Sequence, residues 1–205
     1  YVAAWADNAE VNGGINAFAL GIQSVNPEAV VYVKYINSWG DPTLEKQTAE
    51  ALLSLDCDVI GQHVDSAMAQ IAAEEAGKFG CGYNTDMTVE APNAHLTAPI
   101  WQWGAVYTDQ VKRLIEGTWT PENYYWGLEE DLVGLSPLSA NVAPGTAEKI
   151  EEAKAKILSG EWDVFYGPLF SNTGEQVLAE GESLAVGDIV SGLMTNLLVK
   201  GVEVK

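Results

Sequence analysis

The 205 residues carry 29 acidic against 10 basic side chains, a formal net charge of −19. Such a field repels a phosphate backbone and an anionic bilayer alike, which argues against nucleic acid or a membrane surface as partner. An apolar fraction of 47% and a mean hydropathy of +0.00 suit an ordinary globule, and no run reaches the roughly 20 apolar residues of a membrane span.

The chain opens directly on an apolar run, Tyr1 to Trp5, which reads as a strand in an excerpt of a longer protein. From Glu10 to Val25 the pattern turns helical, with Ile15, Phe18, Ala19 and Ile22 on one stripe. Val30 to Ile36 is β-branched and aromatic, hence a second strand. Pro42 then opens a helix carrying Ala49, Leu52 and Leu53 at helical spacing. Val59 to Gln62 is a third strand, followed by a helix from Ser66 to Gly77. Phe79 to Tyr83 is a fourth strand, Ala94 to Trp101 a fifth, and Gly104 to Glu116 a helix closed by Gly117. Cys57 and Cys81 fall in or just before buried strands and are expected unbridged, as small hydrophobes.

Beyond Trp119 the character changes. Tyr124 to Leu128 reads as a strand and Asp131 to Val142 as loop. Pro144 to Ser159 is a helix, acidic early and basic late. Val164 to Phe170 and Gln176 to Leu178 flank Asn172-Thr173-Gly174, the signature of a hairpin. Gly187 to Lys205 is expected to hold a short helix and a frayed tail. Strand–helix alternation of this spacing predicts an α/β, doubly wound parallel sheet.

Ligands of such sheets bind beyond the carboxyl ends of the strands. Those ends carry Trp5-Ala6-Asp7-Asn8, Asn37-Ser38-Trp39-Gly40-Asp41, His63-Val64-Asp65-Ser66, Asn84-Thr85-Asp86 and Trp101-Gln102-Trp103. Indoles offer stacking faces, while amides and carboxylates offer directional hydrogen bonds, a mixture suited to a flat, polar, uncharged ligand. The bland alternatives are specific too. Asp41-Pro42-Thr43 and Asp65-Ser66 are ordinary helix caps, and Asn84 and Asp86 are turn formers. Trp101 and Trp103 share a face only while the segment stays extended, and the following helix is expected to part them.

Catalytic patterns are thin. There is no HExxH, CxxC, EF-hand or GxSxG motif, so neither a metal site nor a cofactor is expected. Asn12-Gly13-Gly14 is not a dinucleotide fingerprint, and Glu129-Glu130-Asp131 reads as a solvated acidic loop. His95, at the start of its strand, should lie on the edge opposite His63.

Several segments in order resemble one family. They are Gly14 to Gly21 (GINAFALG), Asn37 to Pro42 (NSWGDP), Asp58 to His63 (DVIGQH) and Gly82 to Met87 (GYNTDM), with His95-Leu-Thr97, Trp101 to Gly104 (WQWG) and Gly117-Thr118-Trp119. Together they resemble the basic membrane protein family of ABC-transporter solute-binding proteins. The resemblance implies a type I periplasmic-binding-protein clamshell closing on a purine nucleobase or nucleoside. It implies a membrane permease and an ATPase as partners, and a periplasmic or cell-surface lipoprotein location. Segment 1–101 would be the second lobe, 102–123 a crossover whose helix belongs with the first lobe, and 124–205 the return. Carried over position by position, Trp39, Asp65, Asn84, Asp86 and Trp101 would meet the ligand, with His63 and Asn37 beside them. Relatives commonly have Asp where Asn84 stands and Lys where Trp101 stands, which favours a flat nucleobase. Asp7-Asn8-Ala9-Glu10 replaces the apolar, Pro-containing turn of relatives. Two other classes share this edge: an enzyme of nucleoside or sugar metabolism with His63 and Asp65 as acid–base pair, and the effector lobe of a transcription regulator.

Overall fold

The computed structural model describes all 205 residues. Its first half follows the expected alternation: β1 (Val2–Ala3), α1 (Ala9–Val25), β2 (Val31–Tyr35), α2 (Pro42–Leu53), β3 (Val59–His63), α3 (Met68–Glu75), β4 (Phe79–Cys81) and β5 (His95–Thr97). Local chemistry sets the starts of the two longer helices. Asn8 Oδ1 accepts from the Glu10 and Val11 amides, and Asp41 Oδ1 accepts from Thr43 and Leu44 behind Pro42.

The second half departs from expectation at three places. The stretch Ala94 to Trp101 is not one strand, because it breaks at the buried Ala98, whose amide donates to Ser136 Oγ at 2.9 Å. Beyond the break, β6 (Pro99–Trp101) leaves the main sheet; α4 (Gly104–Glu116) follows, and β7 (Val133–Leu135) pairs antiparallel with β6. So a strand lies inside the segment expected to be loop, and Tyr124 to Leu128 is not a strand. Its aromatics are used otherwise. Tyr124 Oη and Trp119 Nε1 both donate to Gln110 Oε1 on α4, Arg113 lies over the Tyr124 ring, and Trp126 meets it edge-on. Strand preference expresses itself only where a partner strand is available. Then come α5 (Thr146–Ser159) and the expected hairpin, shortened to β8 (Leu169–Phe170) and β9 (Gln176–Leu178).

The third departure is the tail. After α6 (Val186–Val190) and a 3-10 turn at Gly192–Thr195, the last residues form β10 (Val202–Val204), with Val202 buried, rather than fraying. Two asparagines one turn apart on α1 stitch this return. Asn12 Nδ2 donates to the Ala6 and Thr195 carbonyls while its Oδ1 accepts from Tyr35 Oη. Asn16 Nδ2 donates to the Leu197 carbonyl at 2.8 Å, and its Oδ1 accepts from the Val199 amide at 3.0 Å.

The main sheet has the order β10-β2-β1-β3-β4-β5, with every pairing parallel. The chain winds outward from β1 to β2, then crosses back to β3 on the other side of β1. That reversal is a topological switch point, where the loops after β1 and β3 diverge and leave a crevice. α1 seals one face with Val11, Ile15 and Ala19, all inaccessible, against β1 and its neighbours. Burying Ile15 alone stabilises by about 1.5–3 kcal/mol. By contrast α4 and α5 bury no residue, and Val111, Leu114 and Ile115 of α4 face outward.

Replacing Asn16 by Ala strands a buried carbonyl and a buried amide, each costing about 1–3 kcal/mol. Denaturant unfolding of Asn16→Ala should show a loss of about 3 kcal/mol; an unchanged midpoint would contradict the stitching role.

Candidate functional site

The crevice at the switch point is built from three loops. After β1 the cap at Asn8 starts α1 so that Glu10 in its first turn stands over the strand ends. After β2 the chain passes through Asn37, held in the left-handed region at φ 55°, then presents Trp39 before Asp41 caps α2. β3 ends on His63, 5% exposed, and the exposed Asp65 follows in the loop. Two contacts tie the second and third loops. The Asp65 amide donates to the Trp39 carbonyl at 2.8 Å, and the buried Glu45 accepts from the Asp41 amide and the Ser66 hydroxyl.

The centre of the crevice joins His63 and Trp39 to Glu10 and Tyr83, which lie just outside the strand-end loops. The Tyr83 hydroxyl donates to Glu10 Oε1 at 3.0 Å, and the same oxygen lies 3.7 Å from His63 Nε2. The His63 ring packs 4.1 Å from the Tyr83 ring and 6.0 Å from the Trp39 indole. Neither His63 nitrogen has a hydrogen-bond partner. At 3.7 Å the imidazole acts on Glu10 electrostatically. It and the Tyr83 hydroxyl hold the Glu10 carboxyl below the usual carboxylate range, against the pull of partial burial. Burial first, then Glu10, pushes the Tyr83 hydroxyl up, so it stays a donor. No hydrogen bond or ion pair joins His63 to Asp65, so the acid–base pair of the enzymatic reading is not assembled. Both cysteines are free, and burial pushes the thiols up, that of Cys81 to about 11.

The remaining strand-end residues form the outer rim. Asn84, at φ 63°, accepts through Oδ1 from Trp101 Nε1. Trp101 and Trp103 do not diverge as expected. They stack at 5.6 Å and continue into Tyr107 at 6.1 Å, because Trp103 caps α4 with helical backbone angles and turns its ring back over its neighbour. Asp86 is engaged locally: Oδ1 accepts from the Thr88 amide and hydroxyl and lies 3.6 Å from His95 Nε2. The register sets His95 level with Ile60, three residues short of His63. The strand-end loops contain no Lys or Arg, and no three His, Cys, Asp or Glu side chains are grouped to hold a metal ion.

Two expected outcomes test this geometry. A Cβ on Gly14 of α1 would stand 2.7 Å from His63 Cε1 and closer still to Nδ1, whereas one on Gly21 meets nothing within 4 Å. Gly21→Ala should stabilise by up to about 1 kcal/mol through backbone entropy. Gly14→Ala should cost about 1–3 kcal/mol by overpacking and should displace the imidazole; equal gains in thermal melts would refute the wedge. His95 is inaccessible, and burial lowers its pKa, with Asp86 and Glu90 opposing. The native state therefore binds fewer protons at this site than the unfolded chain. Its stability contribution is complete above the unfolded value of about 6.5 and is lost as pH falls toward the lowered one. Between pH 7.5 and 5.5 the melting temperature should fall further for the parent than for His95→Gln; parallel falls would contradict this.

The model of the Bmp family, described as ABC transporter substrate-binding protein PnrA-like, matches residues 6–165. The chain is 40% identical over 196 residues to a purine-binding protein of Brucella abortus, covering 96% of this chain and 55% of that one. It is 36% identical over 169 residues to a Haloferax volcanii protein provisionally named as an ABC transporter glucose-binding protein, covering 82% of this chain and 43% of that one. The chain thus spans about half the length of these relatives. Among solved structures, an ABC transporter solute-binding protein from Conexibacter woesei superposes with a TM-score of 0.64 at 18% identity, over 75% of this chain and 52% of that one. That likeness speaks to fold alone. The chain belongs to the Bmp family of PnrA-like ABC transporter substrate-binding proteins.

Proposed function

We infer that this chain supplies one jaw of a binding protein that captures a purine base for an ABC importer and does not transform it. The observation that carries the reading is the cluster of side chains gathered at the strand-order reversal. There an indole face (Trp39) and a buried aromatic floor (His63, Tyr83) meet exposed acceptors (Glu10, Asp65), with no cation in the loops. A flat heterocycle bearing N–H groups suits such a lining. A phosphorylated ligand would meet carboxylates without a counter-charge, so a nucleotide is disfavoured. Within this reading Trp39 stacks on the ring, Glu10 and Asp65 accept from its edge, and Asn84 with Trp101 borders the outer side. Asn37 and Asp86 shape the loops that present them.

The second jaw would cover the outward apolar faces of α4 and α5. Between β6, β7 and α5 lies a groove of about 500 Å³ lined by Leu128, Val133, Leu138, Ile150 and Ile157. The share of the relatives' length that this chain spans, 55% and 43%, supports a two-lobed whole. A permease would receive the ligand-loaded protein outside the cytoplasm, where a lipid anchor would retain it, and an ATPase on the cytoplasmic side would drive import.

Calorimetric titration of the protein at its natural length with adenine, guanine, hypoxanthine, their nucleosides and glucose tests the proposal. Purine bases should bind and be recovered unchanged, and Trp39→Ala should weaken them about tenfold or more, since base–aromatic stacking contributes about 1–3 kcal/mol. Silence across the purines, or binding of glucose alone, would sink the purine reading; protein-dependent turnover would sink the claim of capture without chemistry.

A further inference from the structure

We propose that Glu10 is the residue that sets ligand specificity, its fixed carboxylate accepting a hydrogen bond from an exocyclic amine. This rests on the purine reading above and names what that site selects within the class.

Several hydrogen-bonding side chains in the strand-end loops are already engaged, while Asp65 beside the crevice keeps its carboxylate free. Asn8 and Asp41 accept from the amides they cap, Asp86 accepts from Thr88, and Asn84 accepts from Trp101. Glu10 differs. Oε1 is held by the Tyr83 hydroxyl, Oε2 has no protein partner, and the side chain is 58% exposed. Beneath it lies an imidazole that is 95% sequestered yet makes no hydrogen bond at either nitrogen. Gly14 blocks the Nδ1 side of that ring, and the Nε2 side faces Glu10. A buried polar ring left without a partner costs free energy, and the carboxylate on its Nε2 side is that of Glu10, at 3.7 Å. The Glu10 carboxyl, held below the usual carboxylate range by the imidazole and Tyr83, is an acceptor only at neutral pH.

An acceptor held in this way discriminates by what the ligand lacks. An amine on the ring satisfies Oε2 with a charge-assisted hydrogen bond. A ring without the amine leaves the carboxylate desolvated and unpaired, and is rejected more strongly than the lost contact alone implies. Glu10→Gln reverses the polarity. Its carbonyl takes the Tyr83 hydroxyl, and its NH₂ then faces the amine as donor against donor.

The experiment compares two pairs of bases that differ by one amine, adenine with unsubstituted purine and guanine with hypoxanthine. The protein is used at its natural length, as parent, Glu10→Gln and Tyr83→Phe. In at least one pair the parent should bind the amine-bearing member about tenfold or more tightly. Glu10→Gln should reduce that ratio to about twofold or invert it, and Tyr83→Phe should reduce it less, by releasing Oε1. A ratio unchanged in Glu10→Gln, or no preference in the parent, would overturn the role of Glu10 while leaving purine capture standing. If the parent binds none of the four bases, the reading of the site falls and the specificity role falls with it.

Discussion

The imidazole of His63 is wedged where the sheet reverses its direction of winding, between the backbone of Gly14 on α1 and the ring of Tyr83 at the end of β4. Close packing leaves it no freedom, because a single methyl on Gly14 would collide with it. Everything at the crevice is positioned relative to that ring. The Trp39 indole tilts toward it, the Tyr83 ring packs on it and donates from its hydroxyl to Glu10, and Glu10 lies 3.7 Å from its Nε2. A parallel sheet with the order β2-β1-β3 supplies the crevice, but the wedge turns a generic opening into one lined by fixed groups.

The position of α1 therefore governs both the rim and the far edge of the sheet. On one side it carries Glu10 and Gly14. On another, Asn12 and Asn16 hold the segment from Thr195 to Val199, which delivers β10 to the edge beside β2. Buried amides are worth keeping only when both ends of each are paired, and here both are. The last strand also covers an edge that β2 would otherwise expose.

Much of this was legible in the sequence, and the reasons are local. Caps such as Asn8 and Asp41-Pro42, and apolar stripes such as Val11, Ile15 and Ala19, are written within a few residues of where they act. The strand at Val133–Leu135 and the tail strand at Val202–Val204 were not legible, because three residues carry too little pattern and the partner strand decides. The aromatic run at Tyr124 misled for the same reason: its rings found Gln110 and Arg113 before any strand found its backbone. At the site, Trp39 and His63 announced themselves by type and by loop. Glu10 did not, since an acidic residue in a first helical turn is the usual complement to the helix dipole. Tyr83 read as the apolar end of a strand. What marks both is a contact 73 residues apart in sequence, which no local pattern contains.

The outward faces of α4 and α5, and the stacked Trp101, Trp103 and Tyr107, offer the other plausible resting place for an aromatic ligand. A crystal structure of the natural-length protein with adenine decides between them. The account predicts density for the base against Trp39, with a ring or exocyclic nitrogen about 2.7–3.0 Å from a Glu10 carboxylate oxygen. Density for the base in the groove between β7 and α5, or on the Trp101–Trp103 stack with Glu10 left to solvent, would contradict it.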